Sequence, residues 1–398
     1  MMYKFADRLN RLVPPATRVM AEKASYMRSK GLDIIDLTIG EPDFDTPVSA
    51  ALYAQQAVQA GKTHYTPTAG FLELREAIAN YYNRRFALQY DVEEVIVGAG
   101  SKPLIYEALG VFVNPGDEVI VIAPAWVSYI EQIKLFDGVP RVVDTIENSY
   151  SPRFEDVLEM ITPKTVALIL NSPNNPTGLI YPSTFIRAIC EFALEKNIII
   201  INDEIYERLT YDDFVYWNPL CYVPEARKIM VTINGVSKSF AMTGWRIGYA
   251  LAPKEIIKKM SVMQGHLTSC ASSVSQWAAL GALLEAEDEV EKMRVEYQRR
   301  RDFIIDELSK LPLISFVRPQ GTFYFLINIT GIIGKSLKGQ RIEDDIKFCE
   351  ILLGEKQVAL VPGSAFMAPN HVRLSFATSI EVIEEGIKRL REFLGELE

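Results

Sequence analysis

TVALILN (165–171), NIIIIND (197–203) and KIMVTING (228–235) carry the reading on which the fold turns. A strand with one wet face alternates apolar and polar residues, so an unbroken apolar, β-branched run marks a strand covered on both faces, as in a parallel sheet. Two earlier runs, EEVIVGAG (93–100) and DEVIVIAPAW (117–126), have the same character. The segments between them, such as Lys102–Val113 and Ser183–Lys196, suit the helices that must carry the chain back between parallel strands. Residues 94–252 therefore read as a doubly wound α/β unit.

The last third of the chain reads differently. From Glu285 to Leu311 a charged stretch spaces Val290, Met293, Tyr297, Ile304 and Leu308 as one helical face. FYFLINI (323–329) and HVRLSFA (371–377) follow as strands. Thr378 and Glu381 form a candidate capping box for a final helix that buries Ile383, Ile387, Leu390 and Leu394. This predicts a smaller α+β unit, with a helix crossing the boundary.

Composition narrows the function. The chain has 398 residues and a net charge of −9, against the basic surface that nucleic acid requires. Its four cysteines lack a C-x-x-C spacing, which points to reduced thiols rather than disulfides or zinc. Three histidines in no H-x-x-H arrangement leave little for a metal site or a Ser-His-Asp triad. The start, MMYKFADRLNRLV, has no apolar signal core, and no apolar run reaches the ~20 residues of a membrane span. A cytoplasmic enzyme with no metal, membrane or nucleic-acid partner is expected.

Ligands of an open parallel sheet bind beyond the carboxyl ends of its strands. The first run ends in Gly98-Ala-Gly100-Ser101-Lys102 and enters a helix, a phosphate cradle of free N–H groups. The second presents Trp126, a flat surface for stacking. The third opens into Asn171–Gly178 and offers Asn175, the fourth ends in Asp203 and Tyr206, and the fifth leads to Ser237-Lys238 with Arg246 eight residues on. Each feature alone has a plain structural reading: a tight turn, a core tryptophan, a helix cap, a surface lysine. Their coincidence at one sheet edge matches the needs of pyridoxal phosphate. Its phosphate suits the helix start and Arg246, its ring Trp126, its phenolate oxygen Asn175 and Tyr206. Its pyridine nitrogen needs a carboxylate such as Asp203 to stay protonated, and its aldehyde needs an amine, Lys238, for a Schiff base.

The stretches NSPNNPTG (171–178), DEIYERL (203–209), SKSFAMTGWRIGY (237–249) and PGSAF (362–366) resemble class I aminotransferases of pyridoxal-phosphate fold type I, in the aspartate aminotransferase group. The resemblance runs from LTIGEPDFDTP (37–47) to HVRLSFATS (371–379). It implies a large cofactor-binding α/β domain over 46–290 and a small domain built from 1–45 and 291–398. It implies Lys238 as Schiff-base residue and general base, Asp203 on the pyridine nitrogen, Asn175 and Tyr206 on the ring oxygen, and Trp126 over the ring. Gly100, Ser101 and Arg246 would lie near the phosphate, and Arg373 would grip the substrate α-carboxylate with Asn175 and the Gly40 backbone. Tyr65 would reach the phosphate of a neighbouring subunit, which implies a homodimer with shared sites. Lys102 matches a lysine that in some relatives pairs with the distal carboxylate of aspartate or glutamate, or it balances the phosphate. His266 matches a position near the substrate side chain of the partner, or it is a loop histidine.

Two positions depart from the pattern. Gly235 lacks the hydroxyl that many members direct at the phosphate, and Val13 stands where relatives accepting prephenate carry lysine. The resemblance implies ping-pong transfer of an amino group from an L-amino acid, aspartate or glutamate, to a 2-oxo acid such as 2-oxoglutarate or oxaloacetate. An aminotransferase for aromatic or other side chains and a β-lyase would share these site parts. A non-catalytic cofactor sensor lacks an appended effector domain here. A nicotinamide dehydrogenase is disfavoured because Pro103 replaces the third glycine of its fingerprint.

Overall fold

In the computed structural model, which describes residues 3, 5–14 and 16–398, seven strands form the main sheet: β1 (Val95–Gly98), β2 (Glu118–Ala123), β3 (Val139–Asp144), β4 (Thr165–Asn171), β5 (Ile199–Asp203), β6 (Met230–Gly235) and β7 (Gly248–Leu251). Their order is β1-β7-β6-β5-β4-β2-β3. β7 runs antiparallel to both neighbours and every other pair is parallel. Because β1 and β6 flank the reversed strand, β1, β2, β4, β5 and β6 all end on one edge, and β7 starts there. A site on that edge can therefore draw on five strand ends and on the turn that enters β7.

Nine helices frame the argument: α1 (Val48–Gln59), α2 (Leu72–Phe86), α3 (Ser101–Phe112), α4 (Ser128–Leu135), α5 (Ser183–Lys196), α6 (Lys254–Leu267), α7 (Ser273–Glu285), α8 (Glu287–Leu308) and α9 (Ile380–Gly395). On one face of the sheet α3 buries Leu104, Ile105, Ala108 and Leu109 against Ile96, Val121, Val231 and Ile233. On the other, Phe185, Ile186, Ile189 and Ala193 of α5 pack on Ile120, Leu168, Leu170 and Ile200. Successive strand residues thus enter two different cores, which is why the strands read as unbroken apolar runs. Each fully buried Leu or Ile contributes about 1.5–3 kcal/mol by leaving water.

A second sheet is antiparallel throughout, with β8 (Ser315–Phe316), β9 (Tyr324–Asn328), β10 (Val361–Pro362) and β11 (His371–Ser375) in the order β10-β11-β9-β8. Its core joins Tyr297, Ile304 and Leu308 of α8 to Phe325, Leu374 and the Ile383, Ile387, Leu390 face of α9. Ile35–Asp36 pairs in parallel with Val358–Ala359, so an N-terminal segment is built into this second unit. Arg373 sits on β11 between Leu326 and Val361, an inner strand that holds its side chain in a fixed direction.

The structure corrects three local expectations. The helix expected from Glu285 to Leu311 is α8, separated from α7 by Ala286. The final helix is capped at Ser379, whose side chain makes no cap bond, so Thr378 lies outside the cap. β3 and β7 are strands that lack a long apolar run. No helix among the described residues is long and apolar enough to cross a membrane.

Candidate active site

The strand ends and the second sheet enclose a cavity of about 560 Å³. Gly40, Ser101, Lys102, Trp126, Asn175, Asp203, Tyr206, Ser237, Lys238, Arg246 and Arg373 all line it. Of the residues singled out from sequence, Gly100 lies just beneath the cavity against Arg246, while Tyr65 stands apart from it at 91% exposure. His266 is exposed. Val13 is also exposed, and its N–H donates to Glu131 at 3.0 Å.

At the end of β5, Asp203 is almost fully buried. Its carboxylate accepts the Tyr129 hydroxyl at 2.6 Å and the Ile205 N–H at 3.2 Å. Burial pushes its pKa up to about 6, against the pull of those two donors and of Lys238. A cationic partner in the cavity would shift it back towards the charged form. Tyr129 stands one helical turn beyond Trp126 on α4, and the two rings meet edge-on at 5.4 Å.

Lys238 follows β6, and its ammonium donates to the Gly40 carbonyl of the N-terminal segment. Burial holds its pKa down at about 8, helped by the charges of Arg373, Arg246 and Lys102 and opposed by Glu41. About a tenth of the amine is thus neutral at pH 7, some hundreds of times more than for an unperturbed lysine, and the neutral form is the one that acts as nucleophile or base.

Three elements build an anion-binding corner. Gly100 has φ +100° and precedes α3, and a Cβ there would fall 2.5 Å from an Arg246 nitrogen. Glycine is what lets the guanidinium close on the helix start. Ser101, first in α3, donates its hydroxyl to the Asn234 carbonyl at 2.8 Å. Arg246 occupies the left-handed region with φ 57° and donates to Thr243 O at 3.0 Å. The free N–H groups of α3, its dipole and this guanidinium all favour an anion. Lys102, its pKa lowered by burial and by Arg246, lies 4.8 Å from the Trp126 ring centre.

Across the cavity Arg373 is almost fully buried. It donates to Asn175 Oδ1 at 3.2 Å and to Thr38 O at 3.0 Å, and stacks on Tyr324 at 4.2 Å. Its Nε has no partner among the described residues. An unpaired buried guanidinium nitrogen is costly unless something such as a carboxylate completes it. Tyr206 and Tyr324 share a hydroxyl contact of 3.2 Å, and burial raises the Tyr206 pKa well above its ordinary value. Sequence reasoning missed Tyr129, Tyr324, Thr38 and Glu41. Tyr324 lay inside FYFLINI, read only as a strand, and Tyr129 in a stretch just after Trp126 to which no role was given.

Comparisons with known proteins show the family. Residues 32–390 match the model for aminotransferase class I and II. This chain belongs to that family. It is 43% identical over 392 residues to the aspartate aminotransferase of Geobacillus stearothermophilus, covering 98% of this chain and 99% of the relative. It is 42% identical over 398 residues to the aspartate/prephenate aminotransferase of Thermus thermophilus, covering 99% and 100%. The solved aspartate aminotransferase from Thermus thermophilus with maleate superimposes with a TM-score of 0.92 at 41% identity, over 98% of this chain and 100% of that one. The protein is a pyridoxal-phosphate-dependent aminotransferase of fold type I, as its motifs led one to expect.

Proposed function

We propose that this aminotransferase works on dicarboxylic substrates, moving the amino group of aspartate or glutamate to 2-oxoglutarate or oxaloacetate by a ping-pong route. The observation that carries the reading is the one cavity joining an anion corner, a buried carboxylate, a lysine of lowered pKa and an incompletely paired arginine. These groups fit pyridoxal phosphate, which when bound supplies an aldehyde for covalent attachment and a ring that takes up electrons from the substrate α-carbon.

Lys238 would hold the cofactor through its amine and would carry the proton taken from the substrate α-carbon. Asp203, oriented by Tyr129, keeps the ring nitrogen protonated. Asn175 and Tyr206 donate to the ring oxygen, and Trp126 covers the ring face. Gly100, Ser101, Ser237 and Arg246 receive the phosphate. Arg373 takes the α-carboxylate on its open side with help from Asn175 and the Gly40 backbone, a planar fork that lysine could not reproduce. Lys102 faces the same cavity and supplies the charge for a distal carboxylate. The maleate bound by the Thermus thermophilus structure, a dicarboxylate, supports this assignment. The Thermus thermophilus relative is named for prephenate as well. Val13 stands where relatives accepting prephenate carry lysine, which weighs against prephenate as a substrate.

The chain divides into a large unit over 46–290 and a small one from 1–45 and 291–398, of which residues 1, 2, 4 and 15 lie outside those described. The two separate sheets support this division. Tyr65, exposed and without a hydrogen bond or ring contact among the described residues, completes the phosphate site of a second copy in a C2 homodimer. Four free cysteines support a reducing, cytoplasmic setting. A donor and acceptor panel tests the substrate assignment. Aspartate with 2-oxoglutarate gives the highest kcat/KM, and Lys102→Ala lowers it about tenfold or more for dicarboxylates but not for alanine. Preference for phenylalanine, or pyruvate released from cysteine, overturns it. Lys238→Ala leaves less than about a thousandth of the turnover.

A further inference from the structure

Glu204 directly follows Asp203 yet does not line the cavity. It is completely buried, and no cation pairs with it among the described residues. Four donors converge on its carboxyl: Tyr82 Oη at 2.5 Å, Tyr216 Oη at 2.6 Å, Asn218 Nδ2 at 2.8 Å and Asn202 Nδ2 at 2.9 Å. A carboxyl buried without a cation is costly, and apolar packing would fill the space more cheaply. Burial pushes this one up to about 8 even against those donors. Such a group is informative when it organises something else.

The contacts lead to the anion corner. Tyr82 Oη, which donates to Glu204, accepts from Asn234 Nδ2 at 3.2 Å. The Asn234 side-chain oxygen accepts the Gly235 N–H at 2.7 Å, and its backbone carbonyl accepts the Ser101 hydroxyl. The Glu204 N–H donates to Ile233 O at 3.0 Å, tying the ends of β5 and β6 together. At Gly235 an added Cβ would fall 2.8 Å from Ser101 Oγ and 2.9 Å from both the Ile247 carbonyl and Gly248 Cα. The position that lacks the expected hydroxyl is thus filled from the other side by Ser101, whose direction depends on the Asn234 carbonyl.

We propose that Glu204 is a positioning residue for the phosphate corner, acting through Tyr82 and Asn234 on Ser101, whose hydroxyl gives its proton to the Asn234 carbonyl and so anchors the α3 start, whose N–H groups receive the phosphate. The inference rests on the reading of Gly100, Ser101 and Arg246 as the phosphate site. Its reach is the phosphate alone, because the path touches neither Asp203 Oδ2 nor Lys238 Nζ.

The test titrates the apoenzyme with pyridoxal phosphate and, separately, with pyridoxal, which lacks the phosphate. Tyr82→Phe breaks the path while keeping the ring in its core. Tyr216→Phe removes a donor to the same carboxyl but no contact to Asn234. Tyr82→Phe raises the Kd for pyridoxal phosphate about tenfold and leaves that for pyridoxal within about twofold, whereas Tyr216→Phe leaves both within about twofold. Glu204→Gln follows Tyr82→Phe, and the bound phosphate's phosphorus NMR signal moves in both. If Glu204→Gln does not fold, the tyrosine pair carries the comparison. Equal loss for both aldehydes in Tyr82→Phe, no loss at all, or the same loss in Tyr216→Phe overturns the proposal. A wild-type apoenzyme that binds neither aldehyde would instead overturn the reading of the site on which it rests.

Discussion

Glu107, in the middle of α3, is completely buried, and neither of its carboxyl oxygens has a partner among the described residues. Burial alone pushes its pKa from 4.5 up to about 8. The folded chain therefore keeps this proton over a range in which the unfolded chain releases it. Since the native state binds more protons there, stability falls as pH rises from about 4.5 to about 8. Glu107→Gln removes that dependence. In urea unfolding at pH 8 the variant gains about 1–2 kcal/mol over the parent, while at pH 4.5 the difference is within about 0.5 kcal/mol. An equal difference at both pH values would show that the parent carboxyl has a partner. The neighbouring titrations behave otherwise, because they are coupled to a ligand. Asp203 at about 6 and Lys238 at about 8 face each other across one cavity, so each stabilises the charged form of the other and both respond to what binds between them.

At the scale of elements, the start of α3 is the part on which most depends. Gly100 combines a φ of +100° with an Arg246 nitrogen where a side chain would go. Gly100→Ala meets both obstacles, so the turn relaxes and the guanidinium is displaced. The affinity of the apoenzyme for pyridoxal phosphate falls about tenfold or more, with a melting temperature a few degrees lower. Unchanged affinity would remove Gly100 and Arg246 from the phosphate site. The elements also show what the sequence could reveal. β1, β2, β4, β5 and β6 were legible because two cores leave most of their residues apolar. β3 was not, since it is an edge strand with Pro140 and Arg141 and only Val143 fully buried. β7 was not, because its four residues continue a motif noticed for its arginine. The cavity-lining side chains at strand ends could be found by reading one edge of the sheet. Tyr129 and Tyr324 could not, because a hydroxyl aimed at a carboxylate or a second phenol looks like any core tyrosine until the chain is folded. Arg373 was found by resemblance rather than by pattern, since an arginine in HVRLSFA reads equally as a strand-edge charge.

At the scale of the whole molecule, the cavity of one chain does not include Tyr65, which the proposed assembly assigns to the phosphate of a second copy. Tyr65 is 91% exposed, and Leu52 and Val58 of α1 and Val262 and Leu267 of α6 are exposed apolar residues as well. A C2 dimer that covered them would bury the same surface on both copies at once. Shared sites can be separated from merely adjacent ones by mixing defects. In a dimer of one Lys238→Ala chain and one Tyr65→Ala chain, a tyrosine that crosses the interface leaves one site with both lesions and the other with neither. Random pairing makes half the dimers hybrid, so about a quarter of the parental sites regain full function. If Tyr65 serves its own chain, every hybrid site carries a lesion and no full-strength site forms. Co-expression of two differently tagged chains, purification of the hybrid and measurement of its cofactor content and turnover decide between these. Recovery of one site per hybrid dimer supports the exchange of Tyr65 between subunits. A hybrid no better than the Tyr65→Ala homodimer would confine the active site to one chain.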